Sequence, residues 1–98
     1  HYLAAAGLSY KTDGEGTINL PLTNAIQIIR GSSTAIEFHM NAAASKQANG
    51  IETIALPKDK ILAQKLSKAV ADVFGSRLRG ENGWIDQSQS ARGKLGFV

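Results

Sequence analysis

Between Lys58 and Phe74 the apolar residues Ile61, Leu62, Leu66, Ala69, Val70, Val73 and Phe74 recur at the spacing of one helical face. Gly75 follows at the position where helices commonly stop. No other segment constrains the fold as tightly. A stripe this wide predicts a long helix laid against a core, with Lys60, Lys65, Lys68 and Asp72 left to solvent. Just upstream, Gly50 to Leu56 is rich in β-formers and ends at Pro57, which predicts a strand leading into that helix.

The first half of the chain shows the same alternation in a weaker form. His1 to Ala6 reads as the end of a helix running into Gly7, and Leu8 to Lys11 as a short strand closed by the turn-rich Thr12 to Gly16. From Pro21 to Arg30, Leu22, Ala25, Ile26 and Ile29 return at helical spacing, with Pro21 near the first turn and Gly31 past the end. Thr34 to Met40 switches to a period of two, with Ile36, Phe38 and Met40 on one face and Glu37, His39 and Asn41 on the other, which predicts a strand. Ser76 to Gly93 is a polar stretch holding Trp84, and Leu95 to Val98 resembles the opening of another strand. Strands alternating with helices predict an α/β fold, a three-layer arrangement in which helices cover a mostly parallel sheet. The expectation is a single domain over residues 1–98 and an incomplete one, because both ends fall within candidate elements.

Length and composition exclude several classes. Ninety-eight residues, 43% hydrophobic and 19% charged, suit one small globular domain and argue against disorder or collagen-like repeats. The absence of cysteine removes disulfides, thiolate nucleophiles and cysteine-based metal sites. No stretch approaches the roughly 20 apolar residues of a membrane helix, so no membrane insertion is expected, and no targeting signal is evident. The net charge of +3 lies wholly in residues 50–98, where eight basic groups face five acidic ones. A polyanionic partner is conceivable there. A solvated, charge-alternating helix face is the simpler reading, and with few aromatics among the bases nucleic acid is not expected.

In open α/β sheets ligands bind beyond the carboxyl ends of strands. His39 and Asn41 lie at that end of the Thr34 strand, and the small residues Ala42 to Ser45 would leave room beside them. A neutral imidazole there could hold a zinc ion, or it could be a satisfied half-buried histidine. A catalytic zinc takes three protein ligands and keeps a fourth position for water. With His1 and His39 as the two histidines, a site within this chain would have to recruit Glu37, Glu52 or another carboxylate. Other chemistries lack their motifs: no serine sits in a Gly-x-Ser-x-Gly elbow, Gly14-Glu15-Gly16 lacks the third glycine of a dinucleotide fingerprint, and there is no Gly-Lys-Ser/Thr phosphate loop.

The segment Ala35-Ile36-Glu37-Phe38-His39-Met40-Asn41-Ala42-Ala43, followed by Ala48-Asn49-Gly50-Ile51-Glu52, resembles the zinc-dependent N-acetylmuramoyl-L-alanine amidases of the bacterial autolysin and phage endolysin type. The Lys58 to Phe74 helix and Ser76 to Gly80 resemble that family's next helix and arginine-glycine stretch, and Trp84 to Ser88 with Leu95 to Val98 looks closest to phage members. The resemblance covers roughly residues 20–98. It implies zinc as cofactor, peptidoglycan as substrate, action at the bacterial cell wall, and His39 as one zinc ligand. Asn41 is a candidate substrate contact, although a structural role in the loop is the simpler reading for it, as one in the strand is for Glu52. The family's glycine-rich histidine loop and its zinc glutamate have no counterpart here, and its catalytic glutamate is expected beyond Val98. The resemblance therefore implies the central portion of a catalytic domain. Oligomeric state is open, and the alternative is a non-catalytic module of the same fold that binds peptidoglycan or another polyanion.

Overall fold

The computed structural model describes residues 2–12, 21–40 and 49–90, and two compact units divide the chain at Met40 and Asn41. In chain order the elements are α1 (Tyr2–Ala5), α2 (Leu22–Ile29), β1 (Thr53–Ala55), a 3-10 turn (Pro57–Asp59), α3 (Lys60–Phe74), β2 (Trp84–Asp86) and a second 3-10 turn (Gln87–Gln89). The fold is α/β: β1 and β2 pair in parallel, with Thr53 opposite Trp84 and Ala55 opposite Asp86.

In residues 1–40 the described structure is two short helices held by local hydrogen bonds. α1 ends as its sequence suggests: Gly7 takes a φ of 78°, and the Leu8 N–H reaches back 2.9 Å to the Leu3 carbonyl. α2 starts directly after Pro21 and turns its half-buried Ala25, Ile26, Ile28 and Ile29 away from the exposed Thr23, Asn24 and Gln27. Two expected strands do not form. Leu8 to Lys11 is irregular, and Thr34 to Met40 is irregular and exposed throughout, with Phe38 and Met40 about nine-tenths open. Alternation marks a chain suited to a half-buried ladder, but a strand exists only where a neighbouring edge satisfies its backbone. Of the neighbouring expectations, the turn at Asp13 to Gly16 and the Leu95 to Val98 strand lie outside the described residues.

In residues 41–98 the order runs β1, 3-10 turn, α3, β2, and α3 packs on both strands. Pro57 at the first position of the 3-10 turn suits its fixed φ and missing N–H. At the other end Gly75 adopts a left-handed φ of 63°, and the Ser76 N–H returns 3.0 Å to the Ala71 carbonyl. That is the helix stop the sequence placed there.

The buried face of α3 departs from expectation. Ala63, Ser67 and Ala71, spaced four apart, are the helix residues that reach the interior, at 5% exposure or less. Leu66 and Val70 are half-buried, whereas Ile61, Leu62, Val73 and Phe74 are exposed. Hydropathy picks the greasiest stripe of a helix. The stripe that touches the sheet here is the one with the smallest side chains, because the helix comes close enough for Ser67 to bond loop backbone.

The polar stretch after α3 also carries more structure than its composition suggested. Ile51 bridges to Leu78 in parallel, and a tight hairpin closes between Glu81 and Trp84. Glu81 and Trp84 exchange both backbone hydrogen bonds, at 2.9 and 3.1 Å, around Asn82 and Gly83. Their φ values of 50° and 92° are those of a type I′ turn, for which Asn-Gly is the preferred pair. β2 emerges from this turn already registered against β1.

Candidate functional site

His39 and Glu37 sit two residues apart in the exposed, irregular stretch that ends the first unit. His39 is therefore not at the end of a paired strand, as its pattern suggested. Asn41 and the small residues Ala42 to Ser45 lie outside the described residues. Among the described residues, no group of three or more histidines and carboxylates comes together in a way that could hold a metal ion. The described residues thus do not by themselves make the ligand set that a catalytic zinc takes.

Glu52 has a structural explanation. Its side chain, 13% exposed, places Oε1 3.6 Å from Nη1 of Arg79, so the carboxylate leaving β1's approach is balanced by the guanidinium arriving after α3. Arg77 donates from Nε to the Asn49 carbonyl at 3.0 Å and to its Oδ1 at 3.2 Å. Two arginines that follow α3 thereby clasp the segment that enters β1.

The tightest polar arrangement lies one layer away, around Ser67. Its hydroxyl donates to the Gly83 carbonyl at 2.7 Å and lies 2.7 Å from Thr53 Oγ1. A serine has one hydrogen to give, and the carbonyl can only accept, so Thr53 is the donor in the second bond. The Gly83 carbonyl also accepts the Thr53 N–H at 2.7 Å. One buried hydroxyl thus ties α3, β1 and the turn before β2 together, with every buried side-chain polar atom among the described residues satisfied. Sequence reasoning passed over Ser67 because it breaks an apolar stripe. The signal available was its place between Ala63 and Ala71 on one face.

A second latch surrounds Trp84. Its Nε1 donates to the Ala55 carbonyl at 3.2 Å, and Lys60 Nζ stands 5.1 Å from the ring centroid while pairing with Glu81. Gln64 Nε2 bonds the Glu81 carbonyl at 2.9 Å. Lys60, expected to face solvent alone, instead covers an aromatic face. Lys68 does behave as a surface residue, paired with Asp72 one turn on. None of the helices among the described residues is long and apolar enough to cross a membrane.

No family model and no curated protein matches the chain. Among solved structures it is similar to the putative N-acetylmuramoyl-L-alanine amidase from Neisseria meningitidis. The two share 52% sequence identity and superpose with a TM-score of 0.74, over 88% of this chain and 48% of that one. The chain thus spans about half the length of the protein it matches, and within that span sequence and α/β fold agree.

Proposed function

We propose that this chain serves the hydrolysis of the amide bond joining N-acetylmuramic acid to L-alanine in bacterial peptidoglycan. The likeness at 52% identity to the Neisseria protein carries the reading. The His39-Met40-Asn41 segment followed by Gly50-Ile51-Glu52 points the same way. The activity is that of an autolysin or endolysin acting at the cell wall.

Cleaving an unstrained amide at neutral pH requires an activated water and a polarised carbonyl, and a zinc ion supplies both. Zinc is accordingly the proposed cofactor, and His39 one of its ligands through an imidazole nitrogen. Asn41, two residues on, is the proposed substrate contact. The remaining ligands are not assigned to any described residue. The catalytic base is proposed to be a glutamate outside the described residues.

The test is release of dye from labelled peptidoglycan, with new L-alanine amino termini counted and bound zinc measured, for the protein and for His39→Ala. Zinc at one equivalent, chelator-sensitive dye release, and loss of both in His39→Ala are expected. Undiminished release by His39→Ala would refute the assignment. The surplus of basic groups in residues 50–98 favours a second reading, a non-catalytic module that binds the anionic wall. Salt-sensitive binding with no new amino termini is its signature.

A further inference from the structure

α3, the Leu78 bridge and the Asn82 turn border a shallow, open cleft of about 310 Å³, lined by Ile61, Gln64, Lys65, Lys68, Leu78 and Asn82. That volume falls at the lower end of the roughly 300–1,000 Å³ typical of small-molecule sites. All three walls are fixed by backbone hydrogen bonding: a helix, a parallel bridge from Ile51 to Leu78, and the type I′ turn. Its apolar surface is the exposed Ile61 and the half-buried Leu78.

The polar rim has unused capacity. Lys65 has no ion-pair partner, and the Asn82 side-chain amide no hydrogen bond, among the described residues. Asn82 is also the one non-glycine residue among them with a positive φ, at 50°. Lys68, by contrast, is balanced by Asp72 at 3.0 Å. The lining therefore presents one net positive charge beside an aliphatic surface, with the Asn82 amide in the same lining. We infer that this cleft is a binding site for an aliphatic monocarboxylate, the chemistry of a short peptide ending in a free carboxylate beside a branched side chain. Lys65 and Asn82 take the carboxylate, and Ile61 and Leu78 take the side chain. A single charge matches a monoanion, and the apolar surface favours a carboxylate over hydrated phosphate. The assignment is independent of amide cleavage, since none of the six residues is proposed to act in that reaction.

The experiment is a nitrogen–proton NMR titration of the full chain with N-acetyl-L-leucine, N-acetyl-L-leucinamide and inorganic phosphate. Saturable shifts of the Lys65, Leu78 and Asn82 amides are expected with the acid. Binding should weaken roughly three- to fivefold for the amide and for Lys65→Met, the size an exposed ion pair carries. Lys58→Met, which removes an exposed lysine outside the cleft, should leave the titration unchanged. Lys65→Met keeps the aliphatic stem, and a spectrum otherwise matching the parent shows that it folds. Equal binding of acid and amide, phosphate binding as well as the acid, shifts mapping elsewhere, or an unaltered titration in Lys65→Met would each overturn the assignment.

Discussion

Ser67 and His39 are held in opposite ways. Around Ser67 a buried hydroxyl, a strand threonine and a turn carbonyl satisfy one another, and each bond joins residues at least fourteen positions apart in sequence. Around His39 the described chain is irregular and exposed, and the nearest regular element, α2, rests on its own helical ladder. In residues 49–90 contacts between positions far apart in sequence join the elements, whereas the backbone hydrogen bonds that end α1 and α2 are local. The scaffold and the proposed chemistry sit on different kinds of structure, and substitutions can separate the two.

The largest expected effect is at Gly83. Its φ of 92° already disfavours a side chain, and an added Cβ would strike the Ser67 side chain and come within 3.2 Å of Leu78 Cδ2. Strain and overpacking each cost roughly 1–3 kcal/mol, so Gly83→Ala should lower the stability of residues 49–90 by about 3 kcal/mol in urea unfolding. Gly31 has nearly the same φ, 79°, but a Cβ added there would meet nothing within 4 Å. Gly31→Ala should therefore cost only about 1 kcal/mol, the backbone term alone. Equal losses at the two glycines would mean that the close approach of α3 to the turn contributes nothing.

Next comes Ser67→Ala. The Gly83 carbonyl keeps its bond from the Thr53 N–H, but Thr53 Oγ1 loses its buried acceptor. One orphaned hydroxyl costs roughly 1–3 kcal/mol, so a loss of about 1.5 kcal/mol is expected by thermal or chemical denaturation. Thr53→Val in the Ser67→Ala background should recover part of it, since both partners are then apolar. Further destabilisation on adding Thr53→Val would dissolve the network as described.

The uneven legibility of the sequence follows from the same physics. α3, its Gly75 stop and the α/β class could be read because a long amphipathic period and a left-handed cap are local features. The pairing of Trp84 to Asp86 with β1 could not, because it depends on Ser67 and Trp84 reaching backbone carbonyls far away in sequence. Asn82-Gly83 was a legible turn signal hidden in a polar stretch. Thr34 to Met40 failed in the reverse sense: its alternation is as regular as any in the chain, yet no edge among the described residues pairs with it. His39 was singled out by its neighbours in sequence rather than by a period or a cap.

Trp84→Phe tests the second latch. It keeps the ring under Lys60 but removes the Nε1 donor to the Ala55 carbonyl, a part-buried bond worth about 1 kcal/mol. Lys60→Met removes the cation–π contact and a half-exposed ion pair, and should cost no more than about 1 kcal/mol. The two losses should not add, because both act on the packing of one ring against the turn.

The smallest stability effect is expected at His39. An exposed side chain in an irregular segment usually changes stability by less than about 0.5 kcal/mol when truncated. His39→Ala in chelator should therefore unfold like the parent. Added zinc should raise the parent's unfolding temperature, since a ligand that binds the folded state stabilises it by mass action, and should leave His39→Ala where it was. A loss of more than about 1.5 kcal/mol in chelator, three times the usual ceiling for such a site, would make His39 a structural residue and collapse the contrast with Ser67. An equal zinc response in both proteins would keep the contrast but remove His39 from the ligand set.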